Sequence, residues 1–305
     1  MKVRIGAGLG VGGLTDDGRF GELVDALEDL RFDSLWLSER VGGAAPDPLV
    51  GLSFAAGRTR RLKLGTSVQV LSGRNPALLA KAWASLDRLS GGRALPAFGL
   101  GNPLAAEHQA FAVRREDRAP IFDEALPLLR RLWTEGSVDH EGRHFSYQGL
   151  SVEPKPHQHP FDVWLGGRAP SELRRCGRLG DGWLASFLTP EECAEGRTVI
   201  EGAASDADRA IDPEHFGAMI VFAAGTIPDA LRARLSAVRP EAGAEDVVAV
   251  GVDTLRARIE DYVAHGFSKL VVVPIDQPGR DGSGDARSWT DELQPIAEAT
   301  LDLQT

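Results

Sequence analysis

Short apolar segments alternate with amphipathic helical patterns along nearly the whole sequence, and this alternation limits the fold most. Eight segments are predicted as β-strands, and several are continuous apolar runs, which is typical of parallel strands buried on both faces. They span residues 3–7, 34–37, 62–68, 94–98, 162–165, 183–185, 216–222 and 269–273. Eight strands with interleaved helices predict an α/β fold, a (β/α)8 TIM barrel, with a large doubly wound sheet as the alternative.

Two places depart from this alternation. Residues 137–160, after the fourth helix, predict a β-hairpin insertion that turns at Glu141 and Gly142. Residues 277–303 predict a polar loop followed by a last helix. The chain has 305 residues and no linker-like segment, and one barrel typically needs about 250 residues. We therefore expect a single domain over residues 1–305.

Composition excludes several classes of function. The formal net charge is −10 and no Lys/Arg-rich segment offsets it, which argues against nucleic acid as a partner. No apolar run approaches the roughly 20 residues that span a bilayer. The first residues lead directly into a strand without a signal-peptide pattern, so we expect a cytoplasmic protein. Cys176 and Cys193 are the two cysteines, too few for a disulfide framework or a cysteine metal cluster.

A glycine motif after the first strand has two interpretations. Gly8, Gly10 and Gly13 match the dinucleotide fingerprint, with Glu39 as the acid that would bind a ribose. The helix does not begin at once, however, because residues 14–18 intervene and include two aspartates that would repel a pyrophosphate. We therefore favour a glycine-rich floor at a barrel mouth, where Gly10 lets a flat ligand approach the backbone.

A second motif resembles a zinc site. His140 and His144 have the spacing of the zinc-protease pattern, which requires a helix to bring both imidazoles to one metal. Gly136 and Gly142 bracket a predicted hairpin instead. We predict no metal site.

The ends of predicted strands two and four supply candidate site residues. Glu39 and Arg40 follow strand two, and Gly99, Gly101 and Asn102 follow strand four. In a (β/α)8 barrel the carboxyl ends of the strands carry the active site. The glycines would leave a floor open for a planar ring, while a purely structural Glu39–Arg40 pair is the alternative.

The segment after strand five is a candidate anion site. Gly166 and Gly167 would let backbone N–H groups point outward, and Pro170 begins a helix whose dipole favours a phosphate. Arg168 would add a charge-assisted hydrogen bond. The alternative is a loop that only starts the helix.

The strings Leu-Gly-Thr-Ser-Val at 64–68, Arg-Asn-Pro at 74–76 and Leu-Asp-Arg-Leu-Ser-Gly-Gly-Arg at 86–93 resemble the luciferase-like monooxygenase superfamily, most closely its coenzyme F420-dependent oxidoreductase branch. In the last two, Asn75 is predicted to cap a helix that ends at Gly91. The resemblance implies a (β/α)8 barrel with an insertion, and a homodimer.

The resemblance also implies roles for individual residues. Thr66, Ser67 and Val68 would lie behind the cofactor ring, with a non-prolyl cis peptide between Ser67 and Val68. The cofactor phosphate would bind at Gly166, Gly167 and Arg168. Glu39 would contact the ring system.

One position departs from the resemblance. Many F420-dependent relatives have histidine after the acid of strand two, whereas this chain has Arg40. Arginine stays protonated at neutral pH and cannot act as a general base. Arg40 would then orient a substrate or neutralise the ionised 8-hydroxy oxygen of a deazaflavin, and proton transfer would fall to Glu39 or Glu107.

We therefore expect an enzyme that transfers a hydride between reduced F420 and a small organic substrate. Three alternatives remain at this stage. The first is an FMN-dependent monooxygenase on the same barrel. The second is a non-catalytic cofactor-binding barrel protein, which the Arg40 departure favours. The third is an NAD-binding Rossmann dehydrogenase.

Overall fold

All eight predicted strands are present in the computed structural model, which describes residues 1–10, 19–101, 105–275 and 287–305. Predicted strand four is divided into two short strands. Predicted strand three is followed, just beyond its predicted end, by a separate two-residue strand at 69–70, and a further strand at 248–250 was not predicted. The strands are β1 (Arg4–Leu9), β2 (Ser34–Leu37), β3 (Lys63–Thr66), β4 (Gln69–Val70), β5 (Ala94–Leu95), β6 (Ala97–Gly99), β7 (Val138–Glu141), β8 (Ser146–Leu150), β9 (Trp164–Leu165), β10 (Gly182–Ser186), β11 (Phe216–Ala223), β12 (Val248–Val250) and β13 (Lys269–Pro274).

Helices connect these strands. They are α1 (Arg19–Asp29), α2 (Pro48–Arg58), α3 (Pro76–Ser90), α4 (Ala105–Phe111), α5 (Arg118–Thr134), α6 (Pro170–Leu179), α7 (Pro190–Ser205), α8 (Asp229–Val238), α9 (Ala244–Val247), α10 (Val252–Ala264) and α11 (Trp289–Thr300). The predicted caps of α3 are confirmed: Asn75 Oδ1 accepts the N–H of Ala77 at 2.9 Å, and Gly91 adopts φ 71°. Among the helices of the described ranges, none combines the length and apolar character that crossing a bilayer requires.

The main sheet is parallel and curled. Its order is β4-β6-β9-β10-β11-β13-β1-β2-β3-β5, with β12 paired to β11. At one edge of this sheet lie β4 and β6, and at the other lie β3 and β5. Because β4 directly follows β3 along the chain and β6 directly follows β5, the same two stretches of chain contribute to both edges. Strands β7 and β8 form a separate antiparallel pair after α5.

Two breaks in the strands have distinct local features, one between β5 and β6 and the other between β3 and β4. Pro96 lies between β5 and β6 and offers no N–H to a neighbouring strand. The buried Thr66 hydroxyl fills this gap, accepting the Ala97 N–H at 2.9 Å and donating to the Ala97 carbonyl at 2.7 Å. Between β3 and β4, the Ser67–Val68 peptide is cis, as the resemblance implied.

Two tryptophans fill the interior of the curled sheet. Trp36 and Trp164 are buried, with ring centroids 6.4 Å apart in an edge-on arrangement. Trp36 Nε1 donates to Ser34 Oγ at 2.9 Å. Glycines make room for the indoles: a Cβ on Gly65 would lie 2.6 Å from Trp36 Cδ2, and one on Gly182 the same distance from Trp164 Cδ2. The interior of the curled sheet is therefore packed with side chains.

A buried charge cluster lies at the amino ends of the strands. Asp33 accepts a hydrogen bond from Lys269 Nζ at 2.5 Å, and Lys63 Nζ and Arg4 Nε lie 3.3 and 3.7 Å from its carboxylate. Burial alone would raise the pKa of Asp33, but the charges of Lys269 and Lys63 outweigh it and lower that pKa. Burial lowers the pKa of Lys269 to about 8, against the opposing effect of Asp33.

Candidate functional site

The carboxyl ends of the strands form a mouth whose floor consists of valines and glycines. A Cβ on Gly99 would lie 2.6 Å from Val68 Cγ2, and one on Gly166 would lie 2.9 Å from Val68 Cγ1. Val68 is half-buried. Because neither glycine carries a side chain, Val68 lies directly on the backbone of Gly99, at the end of β6, and of Gly166, just after β9. The Val68 methyl groups therefore form an apolar surface over these two glycines.

Further glycines extend this floor on both sides. Gly101 adopts φ 89°, and a Cβ there would meet the Val70 methyl groups at 3.2 Å. Across the mouth, a Cβ on Gly10 would lie 3.3 Å from Val273 Cγ1. Asn102 and Gly13, both named by the sequence analysis, lie outside the described residues.

Hydroxyl groups fix the backbone behind Val68. Ser38 Oγ lies 3.0 Å from the Ser67 carbonyl oxygen and 3.1 Å from Ser67 Oγ. Thr66 is fully buried, and its hydroxyl donates a hydrogen bond to the Ala97 carbonyl in β6. Thr66 therefore supports the floor from below, whereas Ser67 and Val68 are half-buried and border the mouth.

Glu39 is held firmly at the rim. Its Oε1 and Oε2 accept hydrogen bonds from Arg74 at 2.5 and 3.1 Å, and Oε2 also accepts the Val70 N–H at 2.6 Å. The Glu39 side chain is only 6% exposed. Burial raises its pKa, although Arg74 and the Val70 N–H act in the opposite direction. The ion-pair partner of Glu39 is thus Arg74, not the adjacent Arg40.

Arg40 and Glu107 lie near each other without forming an ion pair. The Glu107 carboxylate accepts the N–H groups of Val41 and Gly42 at 3.3 and 3.4 Å. The half-buried guanidinium of Arg40 has no hydrogen bond or ion pair with any residue that the structure describes. Burial lowers the pKa of Arg40; the Glu107 carboxylate opposes this effect, and the charge of Arg234 reinforces it.

The candidate anion loop differs from the prediction in one respect. The Gly166 N–H points into the sheet and donates to the Phe98 carbonyl at 3.1 Å. The N–H groups of Arg168 and Ala169 both donate to Glu172 Oε2 at 3.0 Å. An internal carboxylate therefore occupies the two N–H groups immediately before α6, and an external anion would have to displace it to reach them.

The side chain of Arg168 extends away from this loop. Its Nη2 donates to the Val238 carbonyl at 2.7 Å, and its Nη1 lies 3.5 Å from Glu241 Oε1. Arg168 therefore connects the loop after β9 to the end of α8 by hydrogen bonds.

The histidines of the zinc-like pattern have a structural role. His140 lies on β7 and its Nε2 is 3.0 Å from Glu124 Oε1. The backbone N–H groups of His144 and Phe145 donate to the same carboxylate at 3.0 and 2.9 Å. Burial raises the pKa of Glu124, but these hydrogen bonds outweigh it and lower that pKa. The segment is a hairpin fixed to α5, not a metal-binding helix.

Two important site residues were missed by the sequence analysis. Arg74 belongs to the Arg-Asn-Pro string, but nothing local indicated that it binds Glu39, 35 residues earlier in the chain. Glu172 lies at the third position of α6, where a carboxylate commonly binds the N–H groups at the start of a helix. That signal was available in the sequence.

Comparisons with known proteins agree with this architecture. The family described as luciferase-like monooxygenase matches residues 3–271. An F420-dependent glucose-6-phosphate dehydrogenase from Kineococcus radiotolerans is 29% identical over 317 aligned positions, which cover 92% of this chain and 93% of that protein.

Two solved structures share the fold. One is an F420-dependent secondary alcohol dehydrogenase in complex with an F420-acetone adduct, with a TM-score of 0.81, 17% identity and full coverage of both chains. The other is the oxygenating constituent of 3,6-diketocamphane monooxygenase from Pseudomonas putida, in complex with FMN. Its TM-score is 0.75 at 17% identity, and the match covers 98% of each chain.

Proposed function

We infer the function from one premise: this chain belongs to the luciferase-like monooxygenase family. We propose that it is an oxidoreductase that transfers a hydride between reduced coenzyme F420 and a small organic substrate. The proposed enzyme is a single domain, a (β/α)8 barrel. In this barrel β3 and β4 share the third position and β5 and β6 share the fourth, so that the pairs β3–β5 and β4–β6 close the ring. The similarity to an F420-dependent dehydrogenase over nearly the whole chain supports the choice of coenzyme.

The floor around Val68 is the observation that carries this proposal. A deazaflavin is planar, and the floor is an apolar surface in which Val68 packs against Gly99 and Gly166 too closely for a side chain on either glycine. At its edges, Gly101 packs against Val70 and Gly10 against Val273 nearly as closely. These residues fit a flat heterocycle because they offer it methyl groups and bare backbone.

When bound, F420 supplies the hydride chemistry, and the chain supplies position and charge. Val68, with Ser67 behind it, would support one face of the ring and keep water from it. Glu39, fixed by Arg74, would border the ring. We assign proton transfer to Glu39 rather than Glu107, because burial raises its pKa toward the range of a useful general acid. For the coenzyme phosphate we propose the loop of Gly166, Gly167 and Arg168 after displacement of Glu172.

FMN is the second candidate cofactor, because an FMN-bound monooxygenase shares the fold. Titrating the protein separately with F420 and FMN, with tryptophan quenching as the readout, compares the two. We expect micromolar binding of F420 and weaker binding of FMN. Micromolar FMN binding without F420 binding would reverse the assignment. Tight F420 binding without turnover of reduced F420, across a panel of enones and nitroaromatics, would favour a non-catalytic binding protein.

The substitution Gly166→Ala tests the floor. Its Cβ would lie 2.9 Å from Val68 Cγ1, so the Val68 side chain has to shift and the floor changes shape. We expect the dissociation constant for the ring-bearing cofactor to rise at least about tenfold, equivalent to about 1.4 kcal/mol. Gly202→Ala on α7 is the matched control, because a Cβ there meets no atom within 4 Å. Equal affinity in both variants would argue against a ring on this floor.

We also propose a homodimer formed through α2 and α3. Four large apolar side chains on these helices are exposed: Val50 at 67%, Phe54 at 49%, Leu78 at 74% and Leu89 at 84%. Exposed apolar groups concentrated on one part of a surface commonly mark an interface.

Light scattering tests the interface. We expect the wild-type protein to have the mass of a dimer and the variant Leu78→Glu/Leu89→Glu to have the mass of a monomer. Val199→Glu is the control, since Val199 is 39% exposed on the distant helix α7. A variant that stays dimeric would exclude this face as the interface.

A further inference from the structure

A cavity with a volume of about 280 Å³ lies in the surface formed by α6 and α7. Its lining includes Ser171, Arg174, Arg175 and Arg178 of α6, and Ala203 and Asp206 on the side of α7. The four α6 residues recur every three or four positions, so they share one face of the helix. The opposite face, at Leu173 and Cys176, is buried in the core. This α6 cavity therefore opens on the outside of the barrel.

Arg175 forms a fixed wall of the α6 cavity. Its side chain is 10% exposed, and its Nε donates to Asp123 Oδ1 of α5 at 2.5 Å. The guanidinium carbon lies 5.9 Å from the centroid of the Phe122 ring. Because Asp123 balances its charge, the Arg175 guanidinium is stable in this largely buried position.

Arg174 and Arg178 are exposed and lack a comparable partner. Arg178 Nη2 lies 3.7 Å from Asp123 Oδ2, too far for a hydrogen bond, and that carboxylate already accepts from Arg175. Within residues 1–10, 19–101, 105–275 and 287–305, the Arg174 side chain forms no hydrogen bond or ion pair. Like charges four residues apart destabilise a helix. An anion bound by both guanidinium groups would remove that repulsion.

The charge of the α6 cavity is positive on balance. No ion pair joins Asp206 to the three arginines, all of which lie in the described ranges. The lining residues therefore carry three positive charges and one negative, and Asp123 behind Arg175 adds one more negative charge. The chain as a whole has a net charge of −10. A local positive excess of this kind attracts an anion that the rest of the surface repels.

We propose that the α6 cavity binds a small phosphate monoester, with Arg174 and Arg178 together holding its phosphate group. A phosphate monoester carries close to two negative charges at neutral pH, which two guanidinium groups match with paired hydrogen bonds. The Ser171 hydroxyl, on the same face of α6, supplies a further donor. The volume lies close to the lower end for ligand pockets, which indicates a small molecule. This site is separate from the proposed coenzyme site in the mouth.

Titration with inorganic phosphate at constant ionic strength tests the site without any coenzyme. We expect isothermal titration calorimetry to detect millimolar binding in the wild type. Arg174→Gln and Arg178→Gln should each weaken it at least about tenfold, because each removes a charged hydrogen-bond donor. Arg232→Gln is the matched control, since Arg232 is an exposed helical arginine that already binds Glu245 at 2.7 Å. We expect it to bind phosphate as the wild type does.

Asp206 provides a test of opposite sign. Asp206→Asn removes a negative charge from the lining, so phosphate should bind at least about twofold more tightly. Acetate, which has a single charge, should bind the wild type more weakly than phosphate does. A purely structural role of the arginines would produce neither effect.

Four results would overturn the proposal: no phosphate binding in the wild type, wild-type affinity in both arginine variants, weaker binding in Asp206→Asn, or acetate binding as tight as that of phosphate.

A second titration, with F420, separates the α6 cavity from the mouth. Arg174→Gln should bind F420 as the wild type does. Weaker F420 binding in this variant would assign the arginine to the coenzyme and overturn the separate site. If the wild type binds neither F420 nor FMN, the proposed function fails, and the phosphate titration still decides whether the α6 cavity binds anions.

Discussion

Replacing Asp33 with asparagine is expected to reduce the free energy of unfolding by about 3–5 kcal/mol at pH 7, the usual cost of leaving one member of a buried ion pair without its partner. Lys269, 6% exposed, donates to Asp33 at 2.5 Å. With asparagine, the ammonium group would remain buried without a carboxylate. Chemical denaturation of the variant and the wild type measures the difference.

The pH dependence identifies the cause of this loss. Burial already lowers the pKa of Lys269 to about 8, and removal of Asp33 would lower it further. Between its folded pKa and the ordinary value of 10.5, the unfolded chain binds the extra proton, so raising the pH stabilises the folded state. In the variant this gain begins at a lower pH than in the wild type, and above about pH 8 the two proteins gain equally. The deficit of Asp33→Asn should therefore shrink as the pH rises toward about 8 and stay constant above it.

Two further variants distinguish loss of the ion pair from a general disruption of the fold. Asp33→Asn/Lys269→Met should recover much of the lost stability, because both charges are then gone. Asp25→Asn removes an exposed partner of Arg58, and we expect no measurable change. A deficit of similar size in Asp25→Asn, or one in Asp33→Asn that does not shrink as the pH rises toward about 8, would contradict the ion-pair explanation.

The substitution Gly65→Ala is expected to reduce the free energy of unfolding by about 2–3 kcal/mol, near the upper end of the usual overpacking cost. The new Cβ would lie 2.6 and 2.7 Å from two ring atoms of Trp36. Trp36 cannot easily move, since it is fully buried and bonded to Ser34. Thermal or chemical denaturation measures the loss.

A double-mutant cycle tests whether the indole is responsible. Trp36→Phe shortens the ring system, so Gly65→Ala should cost much less in that background than in the wild type. Gly57→Ala on α2 is the control, because a Cβ there meets no atom within 4 Å and alanine favours a helix. Additive losses in the cycle would mean that Trp36 is not the obstacle.

The sequence predicted much of the fold because its strands are buried on both faces. Such strands are continuous apolar runs, and all eight were located to within a few residues. The caps of α3 were equally visible, since Asn75 acts on N–H groups only two and three residues away. Local chemistry of this kind needs no knowledge of the tertiary structure.

Other features depend on distant contacts and were not visible in the sequence. Strand β12 is three residues long and exists because it pairs with β11. The Glu39–Arg74 pair joins residues 35 positions apart. The sequence placed the glycines of strands four and five at the mouth, but only the structure shows that Gly99 and Gly166 both face Val68. The cis peptide at Ser67–Val68 was anticipated by family resemblance alone.

A crystal structure of the protein soaked with F420 tests the central claim most directly. We predict a deazaflavin ring in van der Waals contact with Val68, its plane over the backbone of Gly99 and Gly166. A coenzyme bound elsewhere, or a ring turned away from Val68, would contradict the account.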